Sequence, residues 1–516
     1  MRKSLSVLLV LSLLSGLMIF SAVAFAQDDM TTVDIAIQAE PSKLNPITYQ
    51  DTETDFVLSQ ICDPLVEVSP EGSYTAEGAV IEDYSVEEDG KVYIFNIRKG
   101  IKFHNGEDLT AEDVKFTYES LMDKELASPH RSYYEGIENL ELVDEYTLKV
   151  TLGETNVTFL TNARLRNHVL PKDYIEEVGW SGYEQKPIGT GPYVFVEHVP
   201  GQRIVLEKNE EYWDGTANID RLVFRFYPET TSAVMALQTK EIDFIAELPA
   251  EVYQNLKSKE DVGLKFGSYN KFEDHRICFN KREDSIFSDV RLRKAVAYAI
   301  NRHELIELTR GEMAVPAVGR VPGFHPASAP NANAYEENLD RARELMAEAG
   351  YPDGFKTKIF APSGYRERVL EVQQIQQQLA RIGIDLEVVT LEWGTYLDVT
   401  AEGQAPMFRE RWSAGVPSPY SFVENWHSES GWNSIFGTYE NDEVDALIDL
   451  IKKTTNQEER WQLYRTVQNL AMDEVASYPL YWPVIGEAYN DELVIPEHVW
   501  NVFKRPIYNV DQWKFE

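Results

Sequence analysis

Ile384-Asp-Leu-Glu-Val-Val-Thr-Leu391 decides the fold class, together with the two segments that precede it. Ile384, Leu386 and Val388 alternate with other residues as in a strand, and residues 356–361 favour a second strand. Residues 366–382, between the two, have helical spacing. A strand, a helix and a strand of these lengths predict parallel strands joined by a right-handed crossover. Residues 220–246 have the same pattern, so the sequence predicts a mixed α/β fold.

Turn and cap residues predict the ends of several further elements. Asp89-Gly90 tolerates positive φ and predicts a tight hairpin turn within residues 82–98. Thr110, with Asp113 three residues on, resembles a capping box and predicts the start of a helix. Three more helices are expected to begin after the capping side chains Ser288, Asn338 and Asn441.

Residues 407–427 combine aromatic, small and polar side chains at neither helical nor strand period, which predicts a loop that contacts something. Pro417 and Pro419 fix φ and remove two backbone donors, so this loop should be stiff. Rigid aromatic walls suit a ligand pocket, but the same rings could equally fill a core beneath a long loop. The rings expected to project are those of Trp412, Tyr420, Phe422 and Trp426.

The composition is strongly acidic. The 516 residues include 85 Asp and Glu against 49 Lys and Arg, a formal net charge of −36. Such a field argues against nucleic acid or anionic lipid as a partner. The acidic residues are scattered, which is typical of a solvated surface. The chain is long enough for two or three domains, and its 43% of apolar residues can supply a core for each.

The N-terminus has the features of a secretory signal peptide. Arg2 and Lys3 precede an apolar run over residues 5–20, and Ala24-Phe-Ala26 offers small residues at the cleavage site. Cleavage is expected after Ala26, with a signal anchor as the alternative. A lipid anchor is not expected, because no Cys directly follows the apolar run. No later segment has the apolar length of a membrane span, so a soluble periplasmic protein is predicted.

Sequence motifs of catalysis and metal binding are missing. His303-Glu304 lacks the second histidine of a His-Glu-x-x-His zinc motif. Gly179-Trp-Ser-Gly-Tyr183 has tyrosine where the Gly-x-Ser-x-Gly nucleophile elbow requires glycine. Gly191 is followed by Pro192, which fits no phosphate-binding loop. Carboxylates are abundant enough that a glycosidase-like pair is not excluded, so a secreted hydrolase stays open as an alternative.

Several blocks, in order along the chain, resemble those of one protein family. The first blocks are residues 77–83, residues 92–100, Lys102-Phe-His-Asn-Gly106 and Leu109-Thr-Ala-Glu-Asp-Val114, and Ile188-Gly-Thr-Gly-Pro-Tyr193 follows them. Later blocks are Ser288-Asp-Val-Arg-Leu-Arg-Lys-Ala295, Glu348-Ala-Gly-Tyr-Pro-Asp-Gly-Phe355 and Glu392-Trp-Gly-Thr-Tyr-Leu397. This succession resembles the extracellular solute-binding proteins of family 5, the peptide and nickel transport family.

The resemblance implies a type II periplasmic binding fold, with two α/β lobes, a hinge and an extra inserted domain. The implied boundaries are residues 1–26 for the signal peptide, residues 27–73, 188–270 and 489–516 for domain I, residues 74–187 for the inserted domain II, and residues 271–488 for domain III. The implied function is capture of a peptide for an ABC importer and its delivery to the permease subunits. A cello- or manno-oligosaccharide is the alternative ligand. No catalysis and no cofactor are implied, and a monomer is expected.

Within the family resemblance, Ser418 occupies a position where peptide-binding members usually carry an Asp that pairs with the ligand's amino terminus. Dipeptide-binding members also carry an arginine for the ligand carboxylate, and in the matching segment only Arg366 could replace it. A ligand that is neutral at Ser418 is therefore expected, and Trp412 or Trp426 could stack on a sugar ring. Nickel-binding members use a cleft histidine, but a lone histidine such as His427 is more often structural. The expected ligand-binding residues are Glu40, Tyr269, Tyr365, Trp412, Ser413, Ala414, Ser418, Tyr420, Phe422 and Trp426.

The chain has two cysteines, Cys62 and Cys278. Since the protein is expected to be exported to an oxidising compartment, a disulfide between them is predicted. Two buried thiols are the alternative.

Overall fold

The computed structural model describes residues 30–49, 51–69, 74–160, 168–259, 263–332, 335–413, 418–433, 437–500 and 505–516. Ala414, one of the expected ligand-binding residues, lies outside these ranges. Within them, no helix has both the length and the apolar character needed to cross a membrane.

The first part of the chain contributes one strand to a large sheet and then builds a small sheet from four antiparallel strands, in the order β4 (Ile81–Glu87), β5 (Val92–Ile97), β7 (Thr147–Leu152) and β6 (Ile137–Asp144). Thr110 and Asp113 form the predicted capping box, and Asp89 and Gly90 both have positive φ at the predicted hairpin turn. A separate core that includes Phe95, Tyr118 and Leu148 joins this sheet to two helices. The elements are β1 (Thr32–Ile37), α1 (Thr52–Ile61), β2 (Glu67–Val68), β3 (Tyr74–Thr75), β4 (Ile81–Glu87), β5 (Val92–Ile97), α2 (Ala111–Met122), β6 (Ile137–Asp144), β7 (Thr147–Leu152) and α3 (Lys172–Gln185).

The next part of the chain completes the first lobe. β1 lies between the parallel strands β10 and β11, and β9 and β8 extend the sheet beyond β10 in antiparallel fashion. The predicted strand, helix and strand over residues 220–246 are therefore confirmed. The elements are β8 (Tyr193–Val199), β9 (Arg203–Lys208), β10 (Arg221–Phe226), α4 (Thr230–Gln238), β11 (Phe244–Leu248), α5 (Ala250–Lys257) and β12 (Leu264–Asn270).

The rest of the chain forms the second lobe and then returns to the first. β15 pairs in parallel with β16, in the register Ile359↔Val388, which confirms the unit that decides the fold class. The elements are β13 (Glu273–Phe279), α6 (Val290–Ala299), α7 (Arg302–Thr309), β14 (Ala314–Pro316), α8 (Leu339–Glu348), β15 (Phe355–Pro362), α9 (Arg366–Ala380), β16 (Ile384–Leu391), α10 (Trp393–Ala401), β17 (Met407–Ser413), α11 (Tyr420–Val423), α12 (Asp442–Lys453), α13 (Gln457–Asp473), β18 (Ser477–Asn490), β19 (Leu493–Val494) and β20 (Lys514–Phe515).

Two sequence-based expectations about this lobe are wrong in detail. Residues 407–413 form strand β17, paired with β13 and β15, rather than the start of a loop. The charged side chains at positions 409–411 do not give the alternating apolar pattern by which a strand is predicted. They can be buried in a strand because their ion-pair partners come from distant parts of the chain. Asp289 rather than Ser288 caps α6, since its side chain accepts a hydrogen bond from the backbone N–H of Arg291. Asn338 and Asn441 cap α8 and α12 as predicted.

The long strand β18 belongs to both lobes. Its first half pairs with β13 in the second lobe, and its second half pairs with β11 and β12 in the first. The chain also crosses between the lobes where β12 leads into β13 through Lys271 and Phe272. Two neighbouring crossing strands of this kind make a hinge between two α/β lobes, and with the inserted small sheet this is the type II periplasmic binding fold.

Candidate ligand-binding site

The ends of the parallel strands locate the candidate site. In open α/β sheets, ligands bind beyond the carboxyl ends of the strands. In the first lobe these ends are Ile37, Phe226 and Leu248, and in the second they are Pro362, Leu391 and Ser413. The candidate site is therefore formed by the side chains at these two edges and at the crossing segments that join them.

An aromatic cluster lies next to the crossing segments. Phe272 follows the crossing from β12, and its ring centroid is 5.1 Å from that of Phe422. Phe422 is in turn 5.2 Å from Trp482 of β18. Trp412 packs against this cluster and meets the ring of Trp432 edge-on at 4.7 Å. Phe422 is fully buried, so it supports the other rings from behind.

A charged cluster lies at the first-lobe end of the crossing. The ammonium group of Lys271 donates to both carboxylate oxygens of Glu247, each at 3.1 Å, and Arg505 lies 3.6 Å from the same carboxylate. Burial acts to raise the pKa of Glu247, but the two cations outweigh it and lower the pKa. Glu247 has a positive φ of 54°, a strained conformation that is concentrated at functional sites. The hydroxyl of Tyr269 donates to Glu247 at 3.4 Å.

A buried ionic network occupies one face of the second-lobe sheet. Arg409 donates from Nε to Glu371 Oε2 at 2.6 Å, and Arg310 donates to Oε1 at 3.4 Å. Burial acts to raise the pKa of Glu371, but these arginines hold it at about 2. His275 lies between Glu273 and Arg409, and burial together with Arg409 lowers its pKa to about 3. The imidazole is therefore neutral at pH 7.

A second group of buried charges, around Asp274 and Glu410, lies on the opposite face of the sheet, because these residues alternate with His275 and Arg409 along β13 and β17. Asp274 accepts hydrogen bonds from Arg276 at 2.5 Å and from Arg320 at 3.0 Å. All three of these side chains are at most 1% exposed. Glu410 accepts from the hydroxyl of Tyr396 at 3.2 Å and from the backbone N–H of Arg411 at 2.7 Å. So many buried charges are a costly way to hold a fold together, and groups of this kind cluster at functional sites.

The family of the chain follows from a comparison with known protein families. Residues 75–434 match the model of the bacterial extracellular solute-binding proteins, family 5 Middle. The chain belongs to this family. The lobes, the hinge and the inserted domain are those of a solute-binding protein, as the sequence resemblance implied.

Several relatives match this solute-binding protein over most of its length. Heme-binding protein A of Haemophilus influenzae is 28% identical over 465 residues, which cover 84% of either chain. Oligopeptide-binding protein AppA of Bacillus subtilis is 27% identical and covers 82% of this chain and 81% of its own. A solved structure of the periplasmic binding protein DppA from Helicobacter pylori, in complex with the peptide STSA, is 27% identical with a TM-score of 0.77; the match covers 94% of this chain and 99% of that one.

The structure brings some of the expected ligand-binding residues to the site and leaves others apart. Tyr365 and Trp412 lie half-buried at the second-lobe edge, where Ser413 is exposed at the end of β17. Tyr269 is buried against Glu247. Glu40 instead binds the β8–β9 hairpin, since it accepts from His198 at 2.7 Å and from the backbone N–H of Gly201 at 3.0 Å.

The remaining expected residues follow β17. Ser418 is only 4% exposed and lines a cavity of about 290 Å³ between the inserted domain and the second lobe. Tyr420 is half-buried, with the ammonium group of Lys452 5.9 Å from its ring centroid. Trp426 is 3% exposed, and the guanidinium of Arg320 lies 5.1 Å from its ring centroid. Trp426 therefore has no open face for a sugar ring.

The charged residues of β13 and β17 were not predicted as part of the site. Their signal was present as Glu273-Asp-His-Arg276 and Arg409-Glu-Arg411, two charged runs in which a strand would need to bury charge. Pairing His275↔Arg411 and Arg276↔Glu410 across the strands brings these charges together. That register is a long-range property, so local periodicity could not reveal it.

The predicted disulfide is wrong. Cys62 and Cys278 are free thiols, both buried. Cys62 belongs to the core of the first lobe, near the hydroxyl of Tyr183 at 3.9 Å, whereas Cys278 lies on β13 in a second-lobe core with Tyr396 and Phe408. The two thiols therefore lie in the cores of different lobes and do not pair. Among the described residues, no group of three or more His, Cys, Asp or Glu is arranged to hold a metal ion.

Proposed function

We propose that this solute-binding protein captures a peptide between its two lobes and delivers it to the permease subunits of an ABC importer. The main support is that AppA, named for oligopeptides, and DppA, solved with a peptide, match the chain over most of its length. The alternation of charged groups and aromatic rings at the candidate site suits a ligand with amides, charged groups and apolar side chains. We further propose that the protein acts as a monomer.

An oligosaccharide is less well supported as the ligand. Sugar rings need exposed aromatic faces, and the burial of Trp426 beneath Arg320 removes one of the two tryptophans expected to supply them. Neither AppA nor DppA is named for a sugar.

Calorimetry with a peptide set and an oligosaccharide set tests the proposal directly. We expect peptides of some length to bind, oligosaccharides not to bind, and the peptide to be recovered unaltered by mass spectrometry. Binding of oligosaccharides alone would overturn the peptide proposal, and turnover of the peptide would place the protein among hydrolases. Mass spectrometry of the molecule extracted from purified protein would identify the natural ligand.

The ligand group nearest Ser418 should be uncharged. The described side chains that line the Ser418 cavity include Arg460 but no carboxylate, so a buried ammonium group would lack a partner there. We expect Ser418→Asp to improve the binding of peptides with a free amino terminus relative to N-acetylated ones. Tight binding of such peptides by the wild type, with no gain in the variant, would contradict this expectation.

We also propose that the mature protein begins at Gln27, without a lipid anchor, and acts in the periplasm. The Ala24-Phe-Ala26 site supports this proposal. Intact-mass measurement of the exported protein should show loss of residues 1–26. Retention of those residues would refute cleavage.

A further inference from the structure

The cavity that Ser418 lines lies between the inserted domain and the second lobe, and its walls are rich in aromatic rings. Protein interiors are packed as densely as organic crystals, so a space of about 290 Å³ between two domains is more than a packing defect. An apolar cavity of about 150 Å³ holds a benzene ring, so this one has room for a larger side chain. Its rings include Tyr84 and Tyr93 from the inserted domain and Trp461 and Tyr464 from the second lobe.

The wall from the inserted domain is one face of its small sheet. Tyr84 and Val86 are two residues apart on β4, so their side chains project from the same face. Val86 pairs directly with Tyr93 of β5, whose hydroxyl donates to the carbonyl of Asn156 at 2.8 Å. The Tyr93 ring is thereby held in place. Val86 is 40% exposed, so the sheet presents an apolar side chain that its own domain does not cover.

The wall from the second lobe is one face of α13. Tyr464 lies three residues after Trp461 and four after Arg460, so the three side chains share that face. Arg460 donates to the backbone carbonyls of Thr454 at 2.8 Å and Thr455 at 3.2 Å. Arg460 is the one charged side chain among the described residues of the lining. A cationic group would meet a like charge there, whereas an uncharged ring would meet the faces and edges of other rings.

His325 connects this cavity with the candidate ligand-binding site. It lines the cavity, and its ring centroid is 6.5 Å from that of Trp461 and 6.1 Å from that of Phe272 in the crossing segment. Burial lowers the pKa of His325 to about 4, so the imidazole is neutral at pH 7 and adds no charge to the cavity. A ligand held beside the crossing segments therefore lies next to the cavity.

The two walls belong to parts of the molecule that move relative to each other when the hinge opens. The inserted domain is bound to the first lobe, since the backbone N–H of His104 donates to the carbonyl of Gly189 at 2.9 Å, and His104 Nδ1 accepts from the N–H of Gly189 at 3.3 Å. Val157, which lines the cavity, instead donates from its backbone N–H to the carbonyl of Lys452 in the second lobe at 2.9 Å. The cavity is thus complete only when the lobes are close together, and a group that fills it favours closure.

We propose that this cavity is a subsite for a large, uncharged aromatic group of the ligand, and that the inserted domain thereby takes part in ligand selection. The ring packs between the β4–β5 face and α13, with edge-to-face contacts to the rings on either side. The inference rests on the proposed peptide function, in which the aromatic group is a side chain of the peptide.

Tetra-alanine peptides with a single Phe, Leu or Lys at each position test the subsite. At one position, calorimetry on the wild type should show Phe favoured over Ala by about tenfold or more, because the ring is removed from water. Leu should gain less than Phe, since it lacks the contacts between rings, and Lys should gain nothing beside Arg460. Absence of a preference for Phe at every position, or an equal gain for Leu or Lys, would overturn the proposal.

Val86→Trp fills the cavity from the inserted domain and should reduce the Phe-over-Ala preference to less than about threefold. Val143→Trp is the matched control and should keep the preference, because Val143 is a 55% exposed valine on β6 of the same sheet and is not among the described residues of the lining. Thr455→Trp fills the cavity from an exposed position of the second lobe and replaces Val86→Trp if that variant does not fold. A preference for Phe that persists in a folded filling variant would place the ring elsewhere and overturn the proposal.

Indole gives a readout that needs no peptide. It should raise the Tm of the wild type and leave that of Val86→Trp unchanged. If peptides bind without a preference for Phe, the aromatic subsite is refuted and the peptide function stands. If no peptide binds but indole stabilises the wild type and not Val86→Trp, the subsite stands and the peptide function fails. If neither peptides nor indole bind, both are refuted.

Discussion

Glu371 shows how hydrogen-bonding partners stabilise a buried charge inside the second lobe. Its carboxylate is fully buried, yet it accepts hydrogen bonds from Arg409, Arg310 and Tyr481. These partners offset the cost of removing the carboxylate from water. Removal of one member of such a group leaves the others charged and without a partner, so the network should be least tolerant of change at this position.

Glu371→Gln should lower the free energy of unfolding at pH 7 by about 3–5 kcal/mol, because Arg409 and Arg310 lose their counter-ion. Urea unfolding at pH 7 measures this change. Glu344→Gln, which removes a 63% exposed carboxylate from an ion pair on α8, is the control and should change stability by less than about 0.5 kcal/mol. A similar small loss for both variants would contradict the role of Glu371.

The stability contribution of Glu371 should depend on pH. Its pKa is about 2 in the folded protein, against an ordinary value of 4.5. Between these values the unfolded state binds more protons, so the free energy of unfolding falls as the pH drops through this window, by about 3 kcal/mol in total from this residue. The difference between wild type and Glu371→Gln should therefore be complete above about pH 4.5 and shrink toward pH 2. A difference that stays constant across that range would exclude the ion pair as its cause.

The two cysteines give a residue-scale prediction about oxidation state. Cys62 and Cys278 are buried in the cores of different lobes, and burial raises the pKa of the Cys62 thiol to about 12. The native protein should therefore react slowly with a thiol reagent, and the unreduced protein unfolded in urea should react with two equivalents. Reaction with fewer than two equivalents of the reagent in urea would show that the two cysteines do form a disulfide.

At the scale of elements, Ile188-Gly-Thr-Gly-Pro-Tyr193 packs against the end of α1. The backbone N–H of Gly191 donates to the carbonyl of Ile61 at 2.8 Å, and the buried Thr190 hydroxyl donates to Asp63 at 2.9 Å. A Cβ at Gly189 would lie 2.3 Å from the carbonyl oxygen of Ile61. This sequence block thus requires its glycines for close approach of two backbones and not for phosphate binding.

Gly189→Ala should destabilise the protein by about 1–3 kcal/mol, because backbone atoms of α1 cannot move aside as a side chain can. Gly136→Ala is the control, since in the described part of the chain no atom comes within 4 Å of the added Cβ and its φ is not positive. Thermal and urea unfolding measure both variants. If the two variants have equal stability, the close packing against α1 does not constrain this block.

At the scale of the whole molecule, motion between the lobes should follow from the way they are joined. Two neighbouring segments join the lobes: strand β18, and the chain that runs from β12 into β13. For the lobes to rotate relative to each other, only short stretches of these segments, such as Lys271 and Phe272, need to change conformation. Ligands that contact both lobes favour the closed arrangement. The radius of gyration from small-angle scattering should fall when a bound peptide is added.

A peptide that does not bind in calorimetry serves as the control for closure. It should leave the radius of gyration unchanged, whereas a bound peptide at saturating concentration should lower it. An unchanged radius in the saturated wild type would show that capture does not need hinge closure.

Local sequence signals specify several of the observed elements. The strand and helix periods of residues 356–391, the Thr110–Asp113 capping box and the Asp89-Gly90 turn act over a few residues, so they could be predicted. The ordered series of motifs also predicted the family, and with it the two-lobe fold. The aromatic stretch of residues 407–427 gave only part of the site, since Trp412 reaches the edge of the sheet while Trp426 is buried.

The positions of the charges and the thiols depend on contacts between distant parts of the chain. Arg409, Glu410 and Arg411 look unsuited to a buried strand until Glu371, Arg368 and Glu273 are brought beside them from elsewhere in the chain. Cys62 and Cys278 are separated for the same kind of reason, because each is placed by the core of its own lobe. The free energy of a buried charge depends on partners that are distant in sequence, and only the folded chain specifies them.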